Sequence, residues 1–173
     1  MLRSLSTAAF GVLVGLFFIS EAVRSEEKPA LSPLPDKVVV LKSKHLLILM
    51  KGDQRLQEYQ IALGGDPVGP KVREGDHKTP EGIYLLDCRN PKSRFYKSIH
   101  ISYPDAKDRA QAARLGVPPG GDIMIHGLPN GFGWLGRAHR ARDWTDGCIA
   151  VTNQEMDQIW SSVVDGTPIE IKP

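Results

Sequence analysis

One cysteine, Cys148, has the surroundings that a catalytic thiol needs. It follows Gly147, which can adopt backbone angles closed to other residues, so the amides of Gly147 and Cys148 could both point inward beside the sulfur. That arrangement suits an oxyanion hole, which stabilises the negative oxygen of an acyl-transfer intermediate. A thiol also needs a base, and His126 lies 22 positions upstream (148 minus 126), after a short apolar run typical of a strand. We therefore predict that Cys148 is a nucleophile and that His126 is its general base.

The second cysteine leaves a structural alternative open, because cysteines of secreted proteins often form disulfides. Cys88 is available as the partner of Cys148. However, Cys88 lies in residues 82–90, whose apolar and β-favouring side chains predict a packed strand, whereas Cys148 lies in a polar, glycine-bearing turn. We favour catalysis, with a disulfide-bonded, non-catalytic domain as the alternative.

The segment between the two candidates, residues 128–142, is rich in glycine, aromatic and guanidinium groups. Since arginine pairs well with carboxylates, this segment is interpreted as a substrate-binding lid, and a solvated loop is the alternative. The candidate substrate-binding residues belong to this segment and to the approach to the cysteine: Arg137, Arg140, Arg142, Trp144, Thr145 and Asp146.

The elements that must position these residues are mostly strands. The hydrophobic patterns predict about seven short strands and two helices, with no βαβ rhythm and no internal repeat. We therefore expect a mainly β fold, a mostly antiparallel sandwich or barrel with two or three helices. The predicted strands are 37–41, 45–50, 56–63, 83–88, 97–103, 122–126 and 167–171.

The helices carry their own start signals. Asp105 can cap a helix over 106–115, and Thr152 with Glu155 forms a capping box that opens a helix through Val164. The predicted strand that ends at His126 would hold this side chain firmly while leaving it reachable.

Length and charge exclude several classes of function. The chain has 173 residues, enough for one domain with a sizeable core. Its net charge of +2, from 22 basic and 20 acidic residues, is too balanced to indicate a nucleic-acid partner. The five histidines show no paired ligand spacing, so we expect no metal and no cofactor, and we expect a monomer.

The amino-terminal residues differ in character from the rest. Arg3 precedes a nearly uninterrupted apolar block over 7–19, which predicts a secretory signal peptide over 1–25, cleaved after Ala22 or after Ser25. The block is short for a membrane span, and an uncleaved anchor is the alternative. A proline-rich linker over 26–36 and one domain over 37–173 follow. We therefore expect an exported protein of the periplasm or cell envelope.

Three motifs in this order resemble the L,D-transpeptidase catalytic domain family, also known as the YkuD or ErfK/YbiS/YcfS/YnhG family. They are the Thr-Pro-x-Gly element within 75–84, Ile-His-Gly at 125–127, and Thr-Asp-Gly-Cys at 145–148. The resemblance implies a mostly β domain that acts on peptidoglycan stem peptides. It also implies that Cys148 is the nucleophile and His126 the base, that the Gly127 carbonyl orients this histidine, and that Gly147 and Cys148 supply the oxyanion amides.

The implied reaction is an acyl transfer. Cys148 attacks the diaminopimelate carbonyl of a tetrapeptide stem, D-alanine leaves, and an amine resolves the thioacyl enzyme. The acceptor would be a second stem, a D-amino acid or a lipoprotein. With water as the acceptor, the same residues would make an L,D-carboxypeptidase or an amidase that releases a lipoprotein from peptidoglycan. The non-catalytic alternative is a peptidoglycan-binding domain in which Cys148 is joined to Cys88.

The sequence departs from the family motif at two positions. Asp146 stands where the family usually has a histidine directly before Gly-Cys, and Ala150 stands where it usually has an arginine. Asp146 can stabilise the turn through backbone amides, or its charge can oppose thiolate formation. For the missing arginine we expect Arg137, Arg140 or Arg142 to bind the substrate carboxylate.

Overall fold

The computed structural model describes residues 33–173 of the chain. The predicted signal peptide, and all but the last four residues of the predicted linker, lie outside the described residues. Within 33–173 no helix combines the length and the apolar character that crossing a membrane requires.

Eight strands build a single sheet in the described part of the chain, in the order β3-β2-β1-β8-β4-β5-β6-β7. The β1–β8 and β6–β7 pairs are parallel, and the other neighbours are antiparallel. The strands are β1 (Lys37–Leu41), β2 (Leu46–Lys51), β3 (Gln54–Gln60), β4 (Gly82–Ser93), β5 (Tyr96–Ile101), β6 (Met124–His126), β7 (Ile149–Ala150) and β8 (Thr167–Lys172).

The two edges of this sheet meet. Directly after β3, Ala62 exchanges two backbone hydrogen bonds with Ala150 of β7, at 3.0 and 2.9 Å. Gly64 forms a further bridge with Thr145. Because an edge strand otherwise leaves unpaired amides and carbonyls, this closure satisfies the backbone and produces a barrel. The predicted mainly β fold is confirmed.

The closed sheet encloses one apolar core, to which alternate residues of the strands contribute. After the 51–54 turn, Tyr59, Ile61 and Leu63 face the core, and Ala62 between them is buried as well. The largest fully buried side chains are Leu47, Ile48, Leu49, Ile61, Leu63, Leu86, Ile99, Ile101, Ile123, Ile125, Leu128 and Ile149.

Both predicted helices are present, with their capping boxes. Helix α1 (Ala106–Arg114) begins after Asp105, and α2 (Asn153–Ser162) begins after Thr152. Helix α2 buries Met156 and Ile159 against the barrel. Two further segments are 3-10 helices, Lys42–Lys44 and Gly133–Ala141.

The structure corrects two details of the sequence interpretation. The strand that carries Cys88 exists, but the Cys88 side chain is exposed and not packed. Strand β7 was not predicted, because two residues are too short for a periodic pattern.

A buried lysine holds the loop between β3 and β4. Lys42 is only 3% exposed. Its ammonium group donates to the carbonyls of Gly69 and Thr79, at 2.6 and 2.9 Å, and to the Glu81 carboxylate at 2.8 Å. Three oxygen acceptors compensate for the desolvation of the charge.

We expect Lys42→Met to lower the free energy of unfolding by about 3 kcal/mol, because it strands a partly buried carboxylate and two carbonyls. The matched control is Lys37→Met, since the pair of Lys37 with Glu170, at 3.6 Å, is partly exposed and should contribute less than about 1 kcal/mol. Urea denaturation of both variants measures the difference. Equal losses in the two variants would refute the role of Lys42.

Candidate active site

The two predicted catalytic side chains share one cleft, of about 590 Å³. The cleft lies where β6 and β7 run side by side, next to the β4–β5 hairpin. Among the predicted substrate-binding residues, Trp144, Thr145 and Asp146 also line it. The side chains of Cys148 and His126 therefore face the same space.

Strand pairing explains why these residues meet. Strands β6 and β7 are parallel neighbours, with Ile125 opposite Ile149 and His126 opposite Ala150. Cys148 directly precedes β7, and the Met124 amide on the adjacent strand donates a hydrogen bond to its sulfur. The cysteine thus lies beside the strand that ends at the histidine.

The surroundings of His126 fix its ring. The side chain is 4% exposed, and its Nδ1 lies 2.7 Å from the Gly127 carbonyl oxygen. A carbonyl only accepts, so Nδ1 carries the proton and Nε2 keeps its lone pair. The rings of Phe95 and Trp144 lie 4.6 and 5.8 Å from the imidazole, centroid to centroid. His126 is therefore held in the tautomer that a general base requires.

Burial shifts the pKa values of both catalytic candidates in the direction that favours their uncharged forms. Burial raises the pKa of the Cys148 thiol above its ordinary value, and the carboxylates of Asp146 and Asp122 add to the rise. The hydrogen bond from the Met124 amide lowers this pKa but does not offset the effect of burial. Burial also lowers the pKa of His126, opposed by the bond to Gly127. These two shifts oppose a thiolate–imidazolium pair in the resting protein.

The cysteines are not joined. Cys88 and Cys148 are both free, and the Cys148 sulfur lies 3.5 Å from the carbonyl oxygen of Asp122. Asp122 adopts a positive φ of 55°, a conformation that costs energy for a residue other than glycine. The disulfide alternative has no support in this structure.

Thr145 organises the turn that carries the cysteine. Its hydroxyl donates to the Cys148 carbonyl at 2.7 Å and accepts from the Gly147 amide at 3.1 Å. The Gly147 amide is therefore engaged inside the turn, which contradicts its predicted role in the oxyanion hole. Since its hydroxyl makes two hydrogen bonds within the turn, Thr145 stabilises the turn, and this hydroxyl is not free to bind substrate.

The loop before β4 packs against the turn that carries Cys148. Gly147 has a φ of 125°, and a Cβ at this position would lie 2.6 Å from the Lys78 carbonyl oxygen. Asp146, 92% exposed at its side chain, pairs with His77 of the same loop at 2.9 Å. Asp146 therefore joins the turn to the loop through a side chain, where the family usually places a histidine.

The three predicted arginines lie outside the cleft. Arg137 lines a separate groove, and Arg142 lines an adjacent apolar pocket that shares Trp144 with the cleft. Arg140 pairs with Glu155, the capping residue of α2. Their predicted contact with a carboxylate beside the cysteine is therefore not supported. Ala150 is fully buried and does not line the cleft.

Sequence reasoning missed two residues of the site. Arg94, in the β4–β5 hairpin, lines the cleft and offers a cation there. Asn153 accepts from the Leu128 amide at 2.8 Å, and a Cβ on Gly127 would lie 2.8 Å from its Oδ1. The Asn153 side chain thereby fixes the backbone after His126. In the sequence, Arg94 could be recognised only as part of a turn next to a predicted strand. That Arg94 lies near Cys148 depends on the tertiary structure, which the sequence pattern does not show.

No group of three or more His, Cys, Asp or Glu side chains within 33–173 is arranged to hold a metal ion. The cleft brings together a thiol, an imidazole and the Arg94 cation.

Comparison with known proteins places this site in a family. The sequence profile of the L,D-transpeptidase catalytic domain (YkuD) matches residues 35–171. YafK of Escherichia coli strain K12, provisionally named an L,D-transpeptidase, is 34% identical over 161 residues, which cover 90% of this chain and 58% of YafK.

Two solved structures have the same fold. The helical cell shape determining protein Pgp2 of Campylobacter jejuni is 27% identical, with a TM-score of 0.61 over 79% of this chain and 46% of that one. Bd1075 of Bdellovibrio bacteriovorus is 25% identical, with a TM-score of 0.55 over 82% of this chain and 49% of its own. The chain thus spans about half the length of these relatives. The profile match over nearly the whole described chain shows that this protein belongs to the L,D-transpeptidase catalytic domain family.

Proposed function

We propose that this protein is a peptidoglycan L,D-transpeptidase of the cell envelope, with Cys148 as nucleophile and His126 as general base. The observation that carries the proposal is the shared cleft, in which the Gly127 carbonyl holds His126 with its Nε2 lone pair available. Membership of the family supports the reaction class and the stem-peptide substrate. An exported location follows from where that substrate lies.

The neutral resting pair sets the order of proton transfers. As substrate enters, His126 takes the Cys148 proton while the sulfur attacks the carbonyl at the L-centre of diaminopimelate. The Cys148 amide, the remaining donor of the predicted pair, would stabilise the oxyanion. The C–N bond to D-alanine then breaks, and His126 returns the proton to the departing amine. The amine of a second stem attacks the thioester, and the cross-link is released with the thiol restored.

Product analysis tests this function directly. The purified protein and its Cys148→Ala variant would be incubated with tetrapeptide muropeptides that contain diaminopimelate, and the products identified by mass spectrometry. Cross-linked dimers, absent with Cys148→Ala, support the proposal. Tripeptides without dimers would show that the protein hydrolyses the substrate and does not cross-link it. If neither protein gives a product, the proposed enzymatic function on this substrate is wrong.

Arg94 is the proposed carboxylate-binding residue of the cleft. Stem peptides carry several carboxylates, and Arg94 lines the cleft that holds Cys148. We expect Arg94→Ala to raise KM about tenfold with a smaller change in kcat, because a charged hydrogen bond contributes about 1.5 to 3 kcal/mol.

Steady-state kinetics on the tetrapeptide substrate measures this split. Arg94→Lys should recover part of the affinity, since it keeps the charge and loses the two-pronged geometry. Arg114→Ala, an exposed arginine at the end of α1, is the matched control and should leave KM unchanged. An unchanged KM in Arg94→Ala would refute the assignment.

A further inference from the structure

A second groove, also of about 590 Å³, lies outside the cysteine cleft, between the end of β3, the 3-10 segment Gly133–Ala141 and the first turn of α2. Four carboxamides line it, those of Gln57, Asn153, Gln154 and Gln158, beside three charged side chains. Carboxamides donate and accept hydrogen bonds together, which matches hydroxyl and acetamido groups. The volume lies within the range of ordinary ligand pockets.

The charges around this groove are largely paired with one another. Glu58 forms an ion pair with Arg55 at 2.8 Å, and Glu155 pairs with Arg140. Arg137 adds a cation to the lining. The Tyr59 hydroxyl, in the buried part of the lining, has no hydrogen-bond partner among the described residues. The groove therefore offers hydrogen-bond donors and acceptors, together with the Arg137 cation, to a polar ligand.

Exposed aromatic rings stand beside the groove. Trp134 is 78% exposed and follows Gly133, which lines the groove, while Phe132 on the other side of Gly133 is 51% exposed. An indole ring left exposed to water does not gain the free energy that its burial would provide, so an exposed tryptophan is often part of a binding site. A ring next to an amide-lined groove is suited to a ligand with apolar CH faces and polar edges, as sugar rings have. Phe132 also lines the adjacent apolar pocket, whereas the groove itself is lined mainly by polar side chains.

Asn153 connects the groove to the backbone that follows His126. Its side chain lines the groove, accepts from the Leu128 amide at 2.8 Å and lies close to Gly127. The groove is therefore near the segment that holds the histidine, although the two cavities share no lining residue.

We propose that this groove, with Trp134, is a binding site for N-acetylated glycan strands. The site rests on the proposed function only for the identity of the natural polymer, since glycan binding needs neither Cys148 nor turnover.

The test measures binding of the N-acetylglucosamine tetramer, and of peptidoglycan glycan strands freed of stem peptides, by isothermal titration calorimetry. Saturable binding of both probes is expected, unchanged in Cys148→Ala and weakened about tenfold or more in Trp134→Ala. The matched control is Leu115→Ala, since Leu115 is 60% exposed on the far end of α1 and should leave binding unchanged.

A second variant separates contact from misfolding. Gln158→Ala removes one amide from the groove without touching the aromatic loop, and it should also weaken both probes. Absence of saturable binding, or equal affinity in the wild type, Trp134→Ala and Gln158→Ala, would overturn the site. Binding of stem peptide without binding of either glycan would do the same, while leaving the proposed function intact. Loss of muropeptide turnover with glycan binding retained would count against the proposed function alone.

Discussion

Alkylation of Cys148 by iodoacetamide should accelerate about a hundredfold between pH 6 and pH 8. The thiolate is the reactive form, and its fraction rises about tenfold per pH unit below the pKa of the thiol. Because burial raises the pKa of Cys148, the thiol keeps its proton across this range. The rate should therefore show no plateau below neutral pH.

The alternative protonation state makes the opposite prediction. A thiolate–imidazolium pair would already hold the negative sulfur at pH 6, so its alkylation rate would change little up to pH 8. A plateau over this range would refute the neutral resting pair. The measurement needs a Cys88→Ser background, because Cys88 is exposed and would also react. The reverse variant, Cys148→Ser, reports the reactivity of Cys88 separately.

Local chemistry allowed much of this site to be predicted from the sequence. The capping box of Thr152 and Glu155 involves residues three positions apart, so it was legible without tertiary structure. The cysteine turn and the strand before His126 carried similarly local signals. Their meeting in one cleft was implied by the family resemblance, and the parallel pairing of β6 with β7 accounts for it.

The predictions that the structure does not support concern groups with several possible hydrogen-bond or ion-pair partners. Arg140 was expected to bind a substrate carboxylate, but Glu155 lies close enough in the fold to pair with it. The Gly147 amide was expected to face the substrate, yet the Thr145 hydroxyl accepts its hydrogen bond. In both cases a nearby protein group satisfies the donor, and sequence spacing does not reveal which acceptor is nearer.

The family departures also have a structural explanation. Asp146 pairs with His77, so a histidine of the loop before β4 lies beside the position where the family usually has one. Ala150 lies at the closure of the barrel, where it exchanges two backbone hydrogen bonds with Ala62 and is fully buried.

Added volume at Gly64 would press on the cysteine turn and on the loop before β4 at the same time. A Cβ at Gly64 would lie 2.1 Å from the carbonyl oxygen of His77 and 3.1 Å from the Cα of Gly147. Both neighbours are backbone atoms, which cannot rotate away as a flexible side chain would. A methyl group here must therefore separate the loop before β4 from the turn that carries Cys148.

We expect Gly64→Ala to lower the free energy of unfolding by more than about 4 kcal/mol, and any folded fraction to lose most of its activity. The adjacent Gly65→Ala is the matched control, because a Cβ there meets its nearest atoms at 4.0 Å and φ is not positive. Gly65→Ala should change stability by less than about 1 kcal/mol, since alanine also restricts the unfolded chain. Urea denaturation followed by tryptophan fluorescence compares the two variants. Similar unfolding midpoints for Gly64→Ala and Gly65→Ala would show that the loop and the turn are not in close contact, and the support inferred for Cys148 would fail.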